Sequence, residues 1–172
     1  MAQTHQTERL LLSPWEPSDL EAFHAIWGDP KVIFWGANAD VEASRALLEK
    51  VRGESAEAPD GFGWFAVREQ AAGEVCANVF LQPYRYGPGW ELGYHVARSS
   101  QGRGYATEAS RALIDFALAT GQGPVTALVL PDNAPSQRVV HKLGLARVGT
   151  RMHADLLHDV FEARQAFGSR ST

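Results

Sequence analysis

The segment Ser99-Ser100-Gln101-Gly102-Arg103-Gly104-Tyr105-Ala106-Thr107-Glu108-Ala109 has the residue types needed to hold an anion. Gly102 and Gly104 allow a tight bend and leave amide N–H groups free of side-chain cover. The helical run that begins at Tyr105 adds unpaired N–H donors and the positive end of a helix dipole, which suits a phosphate. A strand-like segment, Glu91-Leu92-Gly93-Tyr94-His95-Val96, lies just upstream. Two phosphate loops are excluded. A Walker loop closes on Gly-Lys-Ser/Thr, and this segment contains no lysine. The dinucleotide fingerprint needs Gly or Ala at its sixth position, where this chain has Thr107, and an acid about 20 residues on, where it has Gly-Gln-Gly-Pro-Val.

Other groups could do chemistry elsewhere. Glu91 is a carboxylate on the strand that feeds the loop, and burial there would raise its pKa toward that of a general base. The competing reading is a solvent-facing or ion-paired strand residue. The histidines His5, His24, His95, His141, His153 and His158 show no metal-ligand spacing, and no metal is expected. His95 could touch a substrate or simply pack. Phe34-Trp35, Tyr84 and Tyr86 could line a pocket or belong to a core. The single cysteine, Cys76, sits in an apolar run and reads as a buried bystander.

These residues need a scaffold, and the periodicities supply one. Glu8 to Trp15 reads as an opening strand. Ser18 and Glu21 read as a capping box for a helix whose apolar face is Leu20, Phe23, His24 and Trp27. Asp40 caps a second helix to about Arg52, with Val41, Ser44, Leu48 and Val51 on one stripe, and a loop follows from Gly53 to Gly63. Strands are expected at Trp64–Val67, Glu74–Leu81 and Trp90–Val96, the last two joined by a turn-rich hairpin connection. A long helix then buries Ala106, Ala109, Leu113, Phe116 and Ala117. Val125–Leu130 is a strand, Ser136–Leu143 a short helix, and Ala146–Thr150 and Val160–Phe167 are final strands. The expected fold is α+β: a mixed, mostly antiparallel sheet of about seven strands with helices on both faces. Residues 1–172 are expected to form one domain.

A hydrophobic content of 45 %, a charged content of 21 % and a net charge of −4 describe an ordinary globular chain and argue against nucleic acid as a partner. No apolar run approaches a membrane span, and the N-terminus lacks the pattern of a signal peptide, so a cytoplasmic location is expected.

The pattern that survives is Gln-x-x-Gly-x-Ala, formed by Gln101, Gly104 and Ala106. With Thr7-Glu8-Arg9-Leu10-Leu11-Leu12, Glu91-Leu92-Gly93-Tyr94 and the run from Asn133 to Leu145, it resembles the GNAT superfamily of acetyl-CoA-dependent N-acetyltransferases. The similarity is closest to the branch that acetylates ribosomal-protein N-termini. The four segments fall in order across nearly the whole chain. The resemblance implies acetyl-CoA as donor and a primary amine as acceptor, either a small molecule or a protein N-terminus, with a homodimer as one assembly.

Carried over by position, the resemblance implies that Gln101, Gly102, Arg103, Gly104, Tyr105, Ala106 and Thr107 form the coenzyme A pyrophosphate loop, its backbone amides from Gly102 to Thr107 holding the phosphates. The main chain of Tyr94, His95 and Val96 pairs with the pantetheine arm, and Asn133 meets that arm through its amide. It also implies Ser136 as the acid that protonates the thiolate, against a plain reading as a first-turn helix serine. Many relatives carry a tyrosine acid where this chain has Val140, which cannot donate a proton. That departure keeps a second reading in view, a non-catalytic acyl-CoA-binding sensor. An α-amine, with a pKa near 7.7–8.0, is on the order of a tenth neutral at pH 7. Glu91 or a water relay would therefore suffice as base, with the oxyanion met by a backbone N–H near Val96.

Overall fold

The computed structural model describes residues 4–37 and 40–164. Its elements run β1 (His5–Gln6), β2 (Leu10–Pro14), α1 (Leu20–Trp27), α2 (Val41–Glu57), β3 (Gly63–Glu69), β4 (Val75–Pro83), β5 (Trp90–Val96), α3 (Tyr105–Ala119), β6 (Val125–Val129), α4 (Ala134–Lys142), β7 (Ala146–His153) and β8 (Leu156–Ala163). They build one eight-stranded sheet in the order β1-β2-β3-β4-β5-β6-β8-β7, antiparallel except where β5 meets β6. The eighth strand is the short β1, which pairs with β2 ahead of the expected first strand.

Strand alternation sorts side chains onto two faces. One face carries Phe65, Val67, Val79, Leu81, Trp90 and Leu92, covered by Ala109, Leu113 and Ile114 of α3 and Val140 of α4. The other carries Trp64 and Ala66, covered by Phe23 and Ile26 of α1 and Leu48 and Val51 of α2. Helices therefore lie on both faces, as the periodicity predicts. No helix among the described residues is long and apolar enough to cross a membrane.

Several boundaries differ from expectation, each for a local reason. The capping box is not Ser18 with Glu21. Pro17 starts a 3-10 turn, and Glu16 and Asp19 cap each other across it, with the Glu16 N–H donating to Asp19 at 3.0 Å. Arg68 of β3 fixes Asp19 there through a 2.7 Å ion pair. α2 begins at Asp40, whose carboxylate accepts from the Ala43 N–H, but it runs on to Glu57. The expected loop from Gly53 shrinks because Ser55 donates to the Val51 carbonyl and accepts from the Trp64 N–H, each at 2.8 Å. Those bonds clamp the last turn of α2 to β3. Val41 is exposed, leaving Ser44, Leu48 and Val51 as the buried stripe. β7 and β8 extend into a hairpin whose turn residues, Ala154 and Asp155, both adopt left-handed backbone. Phe167, the expected end of the last strand, lies outside the described residues.

Gly93 is required by close packing. A Cβ there would lie 2.0 Å from Phe80 Cζ, and the Phe80 ring is itself stacked on Trp64 at 4.1 Å. Gly93→Ala is expected to cost about 1–3 kcal/mol through overpacking. The measurement is a lower urea midpoint with an unchanged slope. A variant as stable as the parent would show that the Phe80 ring can move aside.

Candidate active site

The site starts where the sheet fails to close. β5 and β6 pair only at Trp90 with Val125 and Glu91 with Thr126. Beyond Glu91, β5 stays with β4 as far as Val96, and β6 stays with β8 as far as Val129. The β6-facing edge of Leu92–Val96 thus carries main-chain N–H and C=O groups without a strand partner, a ready template for an extended amide ligand.

The glycine loop lies at the end of that open edge. Ala97 donates its N–H to Cys76 at 3.0 Å, and the Gln101 side-chain amide donates to the Val96 carbonyl at 3.2 Å, tying the loop to β5. Gly102 and Gly104 have φ of +79° and +82°, a left-handed backbone that favours glycine. Gly104 begins α3 with no side-chain cap, so the first-turn amides of Tyr105, Ala106 and Thr107 are left for another acceptor. The side chains of Tyr105 and Ala106 turn into the protein, and Arg103 reaches Glu69 at 3.8 Å. What the loop presents, beside the exposed Arg103 side chain, is backbone.

A second group of residues holds the loop in place. The Glu108 carboxylate, in the first turn of α3, accepts from Thr7 Oγ1 at 2.6 Å, from the Arg9 N–H at 3.0 Å and from Arg9 Nε at 2.7 Å. Arg9 also donates to the Arg103 carbonyl at 3.1 Å and lies 5.0 Å over the Tyr105 ring. Burial works against the Glu108 charge, but the bonds from Thr7 and Arg9 outweigh it and hold the carboxyl below its ordinary value. Sequence reading singled out Thr7 to Leu12 without finding this role. The available signal was an acid in a helix first turn with an arginine on the opening strand.

Across the opening, Asn133 caps α4 by accepting the Ser136 N–H on Oδ1 at 3.2 Å. Ser136 is therefore not the cap, and its hydroxyl lies beside the Tyr94 phenol. Tyr94 donates to the Ser136 carbonyl at 3.3 Å, and burial pushes the phenol up to about 12, so it stays protonated. Val140 is fully buried in the larger core.

Glu91 occupies the point where the strands part. Burial raises its pKa above the ordinary 4.5, against the opposing pull of Gln82, His153, Arg85 and His158. The two histidines arrive on the β7–β8 hairpin, with rings 5.6 Å apart, a pairing hidden in the linear spacing. Tyr86 anchors the hairpin through a 2.9 Å hydrogen bond to His153 Nδ1, while Arg151 lies over its ring at 4.7 Å. On the same sheet face, Trp27 and Trp35 flank His95 at 4.6 and 5.6 Å, and Phe34 and Trp35 remain half-exposed. Cys76 is buried with its thiol pushed up to about 11, mainly by desolvation, and it donates to the Val67 carbonyl. It is no nucleophile. Among the described residues, no cluster of three or more His, Cys, Asp or Glu could hold a metal.

The sheet thus parts between two parallel strands, with a glycine loop at the mouth. The chain belongs to the GNAT family: the Acetyltransferase (GNAT) domain matches residues 9–146. It is 28 % identical over 153 residues to an uncharacterized N-acetyltransferase, p20, of Bacillus licheniformis, covering 86 % of this chain and 84 % of that protein. Its fold is similar to that of an acetyltransferase from Agrobacterium tumefaciens, with a TM-score of 0.82, 24 % identity and 96 % of each chain covered. It is also similar to Mycobacterium smegmatis RimJ in complex with CoA-disulfide, with a TM-score of 0.77, 20 % identity and 94 % and 87 % of the two chains covered. The protein is an acyltransferase by family.

Replacing Glu108 with Gln is expected to loosen the Thr7–Arg9–Glu108 clamp. The stability it contributes is full above the ordinary glutamate pKa of 4.5 and fades as pH falls through the lowered folded value. Glu108→Gln should therefore melt below the parent at pH 7, with the gap closing as the pH falls below 4.5. A pH-independent gap would show that the carboxylate charge is not what the clamp uses.

Proposed function

We propose that the protein transfers an acetyl group from acetyl-CoA to a primary amine, by direct attack within a ternary complex. The observation that carries this reading is the parting of β5 from β6 beside an uncapped helix start. Bound acetyl-CoA supplies the thioester. Its diphosphate fits the amides from Gly102 to Thr107, where two left-handed glycines and an uncapped helix expose N–H donors. The open edge of Tyr94, His95 and Val96 suits the amides of the pantetheine arm, and the Asn133 Nδ2 group is left to join them because Oδ1 is occupied by the cap.

The proton-handling groups flank that edge. Glu91, kept basic by burial, takes a proton from the amine directly or through water, and an N–H near Val96 stabilises developing negative charge on oxygen. Ser136 returns a proton to the thiolate. The buried Val140, which offers no alternative acid, supports that role. With Cys76 sequestered, the only thiol in the chain cannot carry the acetyl group, which favours direct attack.

The test is amine-dependent release of coenzyme A thiol. Ser136→Ala should lower kcat by about 100-fold or more while leaving the thermal shift with acetyl-CoA intact. Unchanged turnover would remove Ser136 from the reaction. No release with any amine, alongside a retained thermal shift, would favour a sensor.

Glu91 gives a separate pH signature. A base must be deprotonated, so activity should rise with pH through a value above 4.5. Glu91→Gln should lose that acidic limb. A parallel profile in the variant would assign the limb to another group.

A further inference from the structure

His95 lies on the stretch of β5 that has left β6, and its ring faces α1 and the segment that follows it. Its protonation follows from a chain of bonds that admits one orientation. The Trp15 indole N–H can only donate, and it donates to Asn78 Oδ1 at 2.9 Å. Asn78 must then present its NH2 to His95 Nδ1, 3.2 Å away, which makes Nδ1 the acceptor and puts the proton on Nε2. Asn78 is fully buried in β4, in register between Ala66 and His95, and Trp15 is nearly so. Neither amide nor indole can turn over without abandoning a bond inside the core.

Two consequences follow for His95. Its one lone pair is spent on Asn78, so it is poorly placed to act as a base. Its Nε2–H makes no hydrogen bond to a described residue, and His95 as a residue is only partly buried. Among the described residues no charge acts on the ring, which meets Trp27 from α1, Trp35 from the loop beyond, and Asn78 and Phe80 from β4. Burial alone acts on its basicity and lowers it to about 4, so the ring is neutral at physiological pH.

We propose that His95 is the acceptor-side hydrogen-bond donor of this enzyme, locked in its Nε2–H form by Asn78 and Trp15, and that it selects amines bearing an oxygen atom near the reacting nitrogen. The inference rests on the transferase reading above. An oxygen of a hydroxyl, ether or amide carbonyl satisfies that N–H. A bare alkylamine leaves it desolvated and unpaired, which is the arrangement by which polar sites reject analogues lacking the matching group. Asn78 acts through His95 as a positioning residue.

The experiment compares amines matched in size with and without oxygen, such as 2-methoxyethylamine against n-butylamine, with kcat/KM referred to the neutral amine. The parent should favour the oxygen-bearing member by about 10-fold or more. His95→Leu should erase that preference, whereas His95→Gln, whose amide N–H replaces Nε2–H, should retain it. Asn78→Asp presents only acceptors to Nδ1, so it should draw a proton there and add a titration between about pH 5 and 8 to the kcat/KM profile. Nitrogen-15 NMR of the parent should show the neutral Nε2–H ring at pH 7. An Nδ1–H ring or an imidazolium, equal rates for the paired amines, or a preference that survives in His95→Leu would each overturn the proposal. Turnover without oxygen preference defeats this inference alone, whereas no thiol release with any amine defeats the transferase reading and this one with it.

Discussion

Two residue pairs, Trp90 with Val125 and Glu91 with Thr126, join the halves of the sheet, and the rest of the site depends on their being so few. Each parting strand is satisfied on its far edge, β5 by β4 and β6 by β8. The near edge of β5 is then left with unpaired amides, which are costly to shield from water without a partner. A folded chain tolerates this where the gap is wet or where a ligand completes the ladder. The opening is therefore a sparsely paired part of the sheet and, in the function proposed, the part that binds.

Keeping such an opening in shape requires rigid surroundings, and the protein supplies them from residues distant in sequence. Glu108 gathers Thr7 and Arg9 against the start of α3, and Arg9 reaches on to the Arg103 carbonyl. The glycine loop is thereby fixed to the sheet's first hairpin as well as to β5. On the opposite side, Tyr86 holds the β7–β8 hairpin through His153. A buried relay from Trp15 through Asn78 sets the proton on His95. None of these three clamps is a local feature of one element.

Much of the framework was legible because it is periodic. The apolar runs of β3 to β5 and the 3.6-residue stripe of α3 are written into consecutive residues, and both formed nearly where the pattern put them. Gly102, Gly104 and the run of α3 were legible for the same reason. The failures were boundaries decided by distant groups. Arg68 fixes Asp19 at the start of α1, and Trp64 bonds Ser55 at the end of α2. The first moved the cap from Ser18, and the second lengthened a helix that Gly53 was expected to end.

The residue types alone determined that an uncapped, glycine-led helix would follow a central strand, because backbone conformation and dipole are local properties. They also determined that Val140 could supply no proton. Only the tertiary structure decided that β5 would part from β6 at Glu91, that Ser136 would be relieved of capping by Asn133, and that His95 would carry its proton on Nε2. Each depends on which groups satisfy a hydrogen bond across tens of residues of chain. A linear pattern shows which groups can donate or accept; the fold decides which of them are already taken.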